Sequence, residues 1–123
     1  EHRAVLAMVS ALLDTGTTVA AICGATIALA ACGVLNSRKH TSNDRGFLGS
    51  MFPQYSAENF IELPAVTDGN LITATGLAPL EFSYEVLKKA GVMKAETAEA
   101  WFGLHKTRTP ESFFALMNSI SKG

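Results

Sequence analysis

The stretch VAAICGATIALAACGVL, from Val19 to Leu35, carries no charged side chain, and a run of that kind admits few folds. A helix that crosses a bilayer needs about 20 apolar residues, so this run lies at the low edge of that requirement. Gly24 and Gly33 interrupt it, Gly16 stands just before it, and the β-branched Val19 and Ile22 flank its first part. That pattern suits a short buried strand followed by a buried helix better than a membrane span. VAAI, residues 19–22, is the strand, and its continuous hydrophobicity predicts cover on both faces, as in parallel sheets. The helix, residues 24–32, is apolar nearly all round and is expected to be buried.

The rest of the composition agrees with one globular domain over residues 1–123. Of the 123 residues 48% are hydrophobic and 17% charged, enough for a core of its own. The 10 basic and 11 acidic residues are scattered, with a net charge of −1. No footprint for nucleic acid or an anionic membrane results, and neither partner is expected. Cys23 and Cys32 fit neither a metal-ligand spacing nor a CxxC pair, so the reading calls for no metal and no cofactor. A dense disulfide scaffold is excluded as well, and a reducing cytoplasm is the default compartment. The chain opens at Glu1 directly into the apolar pattern Ala4, Val5, Leu6, Met8, Val9, Leu12, Leu13, with no basic leader or cleavage signal. It reads as starting in mid-protein.

Along the chain, residues 3–13 have helical spacing and end at DTGTT, with Gly16 as a left-handed cap. After the strand and buried helix, RKHTS (38–42) is a second candidate strand. NDRGFLGSMFPQYSAEN (43–59) has little periodicity and reads as a long, functional loop. FIEL (60–63) and LITAT (71–75) flank PAVTDGN, whose Asp68-Gly69 step is a strong turn signal, and are expected to pair antiparallel. Pro79 then opens a helix with Glu81 at its positive start, Glu85 and Lys89 paired, and Gly91 at its end. Two more helices follow, Ala95–His105 and Pro110–Ile120, the second capped by Thr109 and apolar along Phe113, Phe114, Leu116, Met117 and Ile120. Helix and strand alternate with short connections, which indicates an α/β fold with a mainly parallel sheet. Ligands of such folds lie at the carboxyl ends of the strands, where Cys23, Asn43 and Gly76 emerge.

Cys23 sits between the strand and the helix, among the small residues Ala21, Gly24 and Ala25. A nucleophile elbow has this layout, because its tight turn strains the central residue and tolerates only small neighbours. Backbone N–H groups at the following helix start also favour a thiolate. The competing reading is an inert buried cysteine, the common case. Cys32, near the helix end among alanines, takes that reading, while His2 and His105 are incidental. Trp101, Phe102, Phe113 and Phe114 read as core or dimer contact.

The segments VAAICGATIALAACGVLNSRKHTSND and QYSAENFIELPAVTDGNLITATGLAPLEFSYEVLKKAG resemble the nucleophile-to-C-terminal part of the DJ-1/PfpI superfamily, relatives of the class I glutamine amidotransferases. The resemblance covers about residues 1–91 and rests on the A-I-C elbow, the GVL…K.TS strand entry and the DGNLITATG…EF hairpin into a helix. It implies a flavodoxin-like three-layer α/β sandwich, usually homodimeric, with Cys23 as the reactive residue. It also implies that the N-terminal part of the domain, source of the acidic side chain that bonds the cysteine, is absent. The chain would then associate with that segment or with a second copy.

Against the superfamily pattern, Gly24 stands where protease-like members place a His, and Asn43 and Asp44 stand where DJ-1-like members carry one. His40 lies three residues earlier, and alternation puts His40 and Ser42 on one face and Thr41 and Asn43 on the other. The His-x-Glu pair of true amidotransferases is missing, since TGLAPLEF offers Glu81 alone. Cys23, His40, Asn43 and Asp44 are therefore the candidate catalytic residues, with Gly24 and Gly76 as oxyanion or substrate binders. The implied function is a cysteine-dependent hydrolase or glyoxalase-like enzyme acting on a small carbonyl or acyl substrate. The alternative is a non-enzymatic redox sensor or stress-response protein whose thiolate oxidises to sulfenic or sulfinic acid.

Overall fold

The structure is a computed structural model and describes residues 2–122. Its elements run α1 (Arg3–Asp14), β1 (Val19–Ile22), α2 (Ala25–Ala31), a 3₁₀ turn (Val34–Ser37), α3 (Arg45–Met51), β2 (Ala65–Asp68), β3 (Leu71–Ala74), α4 (Pro79–Ala90), α5 (Ala95–Thr107) and α6 (Pro110–Ser121). The fold is mixed α/β, with a small sheet and many helices.

The three-stranded sheet has the order β1-β3-β2. β1 runs parallel to β3, with Val19 opposite Leu71 and Ile22 opposite Ala74. β2 runs antiparallel to β3, with Asp68 opposite Leu71. The sheet is thus half parallel and half antiparallel rather than mainly parallel. The antiparallel partner of LITAT is Ala65–Asp68, inside the stretch read as a connection, and not FIEL. Two loop residues, Gly69 and Asn70, join the strands, and Gly69 has φ +58, the left-handed backbone that such hairpins need. A turn this short ties the register to the residues immediately around it, which leaves FIEL too far away to pair.

FIEL instead makes one parallel bridge, Phe60 with His40, and RKHTS forms no regular strand. Side chains take the ladder's place there: Lys39 N–H donates to the Asp68 carboxylate at 2.8 Å and Thr41 N–H to the Thr73 hydroxyl at 2.9 Å. Between these two, His40 alone keeps ladder bonds, its N–H donating to the Asn59 carbonyl at 3.0 Å and its carbonyl accepting from Ile61 N–H at 2.8 Å. The long stretch 43–59 contains α3, which Asp44 starts by accepting from Phe47 N–H at 2.7 Å.

β3 is the strand with cover on both faces, since Leu71, Ile72, Thr73 and Ala74 are all fully buried. β1 lies at the sheet edge and Ala20 is exposed, which differs from the cover expected of VAAI. The core gathers Leu13, Ala21, Leu29, Ala30, Leu35, Leu48 and Leu71, drawn from α1, α2, the 3₁₀ turn, α3 and the sheet. α2 buries Thr26, Leu29 and Ala30 but leaves Ala25 and Ala28 outside. An alanine-rich helix is apolar all round yet loses little by exposing a methyl, so it need not be wholly buried.

The C-terminal helices follow the sequence closely. Gly91 ends α4 in the left-handed conformation, and Thr109 caps α6 by accepting from Ser112 N–H. Glu85 pairs with Lys88 at 3.1 Å rather than with Lys89 and also accepts from the Thr67 hydroxyl. Tyr84 and Phe102 rings, 4.6 Å apart, join α4 to α5. Phe113, Phe114, Met117 and Ile120 on α6 stay exposed, as do Val5, Met8 and Leu12 on α1. Among the described residues no helix is long and apolar enough to cross a membrane.

Candidate functional site

β1 delivers Cys23 to a corner where the backbone must turn into α2 within two residues. Its N–H still donates to the Ala74 carbonyl at 3.1 Å, so the sheet holds it. Its φ is +58, one of two positive values among the non-glycine residues described. A left-handed L-residue costs about 1–2 kcal/mol, and such strain persists only where surrounding bonds enforce it. Here they do. The Thr26 hydroxyl donates to the Cys23 carbonyl at 2.6 Å, and Thr26 N–H donates to the same oxygen at 3.1 Å. Ser42 Oγ lies 2.7 Å from Thr26 Oγ1. Thr26 has one hydroxyl proton, already spent on Cys23, so Ser42 is the donor in that contact. Both residues are buried.

The thiol itself is exposed. Its one hydrogen-bond partner among the described residues is Asn43, whose Nδ2 lies 3.5 Å from Sγ. Gly76 N–H determines which way that amide points. It donates to Asn43 Oδ1 at 2.8 Å, with the Thr75 hydroxyl donating at 3.4 Å. A backbone N–H can face only an acceptor, so the oxygen is turned to Gly76 and the NH₂ to the sulfur. Asn43 is therefore a donor to Cys23. Gly76 also comes close to the thiol: a Cβ built there would stand 2.7 Å from Sγ and 3.0 Å from the Cys23 Cβ. Only glycine leaves the sulfur its place.

The structure brings Cys23, Asn43 and Gly76 together and answers which face of 40–43 meets the cysteine: the one that carries Asn43. Gly24 caps α2 next to the thiol and is exposed. His40 lies elsewhere. It is fully buried, and its ring nitrogens bond the Arg38 carbonyl and the Tyr55 hydroxyl, each at 2.7 Å. A carbonyl only accepts, so Nδ1 carries the proton and Nε2 accepts from Tyr55. Burial lowers the His40 pKa, against a smaller raising effect of the Arg38 carbonyl. Burial likewise raises that of Tyr55, against the charge of Arg45, which keeps its hydroxyl a donor. Asp44 is engaged at the start of α3.

Sequence reasoning missed Thr26 and Ser42, which hold the cysteine's carbonyl. A threonine three residues after the corner, where a hydroxyl reaches back to the preceding turn, is the signal that could have found the first. Cys32 is half-buried and donates to the Leu29 carbonyl at 3.4 Å. Among the described residues no three His, Cys, Asp or Glu side chains gather as a metal site requires.

A cavity of about 380 Å³ opens beside this corner, with Asn43 and Thr75 in its wall. That is a size suited to a small molecule.

Comparison with known proteins identifies the family of the chain. The chain is 53% identical over 122 residues to a Bacillus subtilis (strain 168) protein named uncharacterized protease YoaZ, a match over 98% of this chain and 58% of that one. The crystal structure of a thiJ/pfpI family protein from Bacillus anthracis superposes with a TM-score of 0.92 at 50% identity, covering 96% of this chain and 56% of the other. The DJ-1 superfamily protein Atu0886 from Agrobacterium tumefaciens gives a TM-score of 0.74 at 36% identity, over 85% of this chain and 55% of the other. The chain thus spans little more than half the length of these relatives. The DJ-1/PfpI family profile matches residues 1–89, across the strained cysteine, its asparagine and the glycine at its side, and the chain belongs to the DJ-1/PfpI family.

Proposed function

We propose that Cys23 is the nucleophile of a cysteine-dependent hydrolase or glyoxalase-like site for small carbonyl or acyl substrates. One observation carries the reading: an exposed thiol held at φ +58 while an asparagine N–H is turned toward its sulfur. That combination supports a nucleophile elbow, in which strain keeps the reacting atom forward. The names of two relatives as uncharacterized proteases support a hydrolytic reading.

In the proposed reaction the thiolate adds to the carbonyl carbon, a C–S bond forms, and the C=O π pair moves onto oxygen. Gly24, next in the chain after the nucleophile, offers its N–H to that oxyanion, as elbows do. Gly76 N–H, which the sequence offered for the same task, is taken by Asn43. Its part is to fix the amide and make room for sulfur. With an ester the tetrahedral adduct collapses, the C–O bond breaks and the alkoxide leaves with a proton. Water then cleaves the acyl thioester. No acidic side chain or histidine among the described residues bonds Cys23 Sγ, so its proton goes to solvent or to a group beyond them. Thr26 and Ser42, which hold the Cys23 carbonyl, act as positioning residues, while His40 serves the fold.

In its relatives' full length such a domain would be a flavodoxin-like sandwich, with the N-terminal part completing the site. The apolar faces left outward on α1 and α6 support association, as a homodimer or with that part. A second reading, a peroxide-oxidised thiol sensor, is favoured by the absence of a base on Sγ among the described residues.

The test is alkylation by iodoacetamide, with Cys32 as internal reference, beside turnover of p-nitrophenyl acetate and methylglyoxal. Cys23 is expected to react at least tenfold faster than Cys32, and Cys23→Ser to abolish turnover. Fast alkylation without turnover would leave the sensor, and equal rates for the two thiols would remove both readings.

A further inference from the structure

The lining of the cavity beside Cys23 combines the apolar Leu63, Leu77 and Ala78 with Glu62, Glu81 and Thr41. Glu62 is exposed and has neither hydrogen bond nor ion pair among the described residues. Glu81, on the first turn of α4, holds the Lys106 ammonium at 3.5 Å, in a pair whose lysine is 57% exposed. Exposed pairs of this kind contribute little, so a second cation can displace Lys106. Thr41 is the independent sign of a ligand. The residue is 2% exposed and lines the cavity, its own N–H is bonded to Thr73, and its hydroxyl makes no hydrogen bond among the described residues; since no fully buried side-chain oxygen among them lacks a partner, Oγ1 is the part of Thr41 that meets open space. A hydroxyl that opens on the cavity from an otherwise buried residue has lone pairs free for a donor held there.

We propose that this cavity selects substrates that carry an ammonium group, and so that the Cys23 site acts on small amino-acyl or aminocarbonyl compounds. Glu62 and Glu81 supply the negative charge, Thr41 Oγ1 accepts one ammonium N–H, and the apolar wall takes the methylene spacer. The substrate class rests on the nucleophile reading above, whereas cation binding by the cavity does not.

Two measurements on the purified chain separate them. In the first, backbone amide shifts of Cys23→Ser protein are followed by NMR during titration with n-butylammonium, with butyrate and 1-butanol as controls. Saturable shifts at Thr41 and Glu62 are expected with the ammonium alone, and Glu62→Gln is expected to weaken binding about tenfold. In the second, p-nitrophenyl esters of β-alanine and of butyrate, which match in size but not in charge, are compared, with hydrolysis by Cys23→Ser as background. The β-alanyl ester is expected to lead in kcat/KM by about tenfold, and Glu62→Gln to erase that lead through KM rather than kcat. Equal turnover of both esters, or shifts that do not distinguish the ammonium from 1-butanol, overturns the proposal while Cys23 chemistry stands. Ammonium binding lost in Glu62→Gln, with no turnover of either ester, upholds the cation site and refutes the nucleophile.

Discussion

On one side of residues 40–43, His40 is fully buried with both ring nitrogens bonded, and its ring stands edge-on to Tyr55 and Phe60. On the other, Asn43 reaches an exposed sulfur at 3.5 Å, on a residue held in a left-handed backbone. Three positions separate the two. The first gathers satisfied bonds and buried rings, the features that stabilise; the second gathers strain, exposure and a long contact, the features that leave a group free to react. Substitutions should therefore act with opposite sign on the two sides.

The largest effect belongs to the closed side. His40→Ala removes a buried ring and leaves the Tyr55 hydroxyl and the Arg38 carbonyl without their partner. A loss of about 3 kcal/mol in urea unfolding is expected. Alkylation of Cys23 should slow far less, because no bond runs from His40 to the thiol. A variant as stable as the parent would show that burial of His40 contributes nothing.

Gly76→Ala crosses from one side to the other. Its methyl would meet Cys23 Sγ at 2.7 Å and Cβ at 3.0 Å, so the thiol or the β3–α4 turn must move. About 2 kcal/mol of destabilisation is expected, with Cys23 alkylation slowed about tenfold as the turn shifts and carries with it the N–H that anchors Asn43. An unchanged alkylation rate would mean that this approach does not set the position of the sulfur.

At the strained corner the sign reverses. Cys23→Gly removes the side chain that makes φ +58 costly and should raise stability by about 1 kcal/mol, although glycine gains freedom in the unfolded chain that offsets part of it. The thiol on which the proposed turnover depends is lost at the same time. A destabilised variant would show that the thiol's contact with Asn43 outweighs the backbone strain.

How much of this the sequence discloses follows the same division. The C-terminal helices were legible because Pro79, Gly91 and Thr109 act within one turn of where they stand. The corner at Cys23 was legible for a similar reason, since Ala21, Gly24 and Ala25 are its immediate neighbours. The partner of β3 was not, because four residues of PAVTDGN could serve as strand or connection and the two-residue loop decides between them. Residues 38–42 have the composition of a strand, yet the N–H groups of Lys39 and Thr41 go to the side chains of Asp68 and Thr73, across about 30 positions. His40 drew attention as a base because of its residue type. Its partners Tyr55 and Phe60 stand 15 and 20 positions away, and no local pattern joins them. Asn43 was found by position in a family pattern, and the direction of its amide depends on Gly76 N–H, 33 residues on.

The smallest effect is that of pH on the closed side. Burial lowers the His40 pKa in the folded chain below its ordinary value of 6.5, so the unfolded chain binds the proton more readily. His40 then contributes its full stability above about pH 6.5, and that contribution falls as pH drops through 6.5 toward the folded value. Urea midpoints measured at about pH 7.5 and about pH 5.5 should show a loss of no more than about 1 kcal/mol that His40→Gln does not share. Glutamine keeps a donor and an acceptor but cannot titrate, so the comparison separates protonation from packing. Equal losses in parent and variant would assign the acid sensitivity to other groups, and would leave His40 as a packed ring whose charge state the fold does not read.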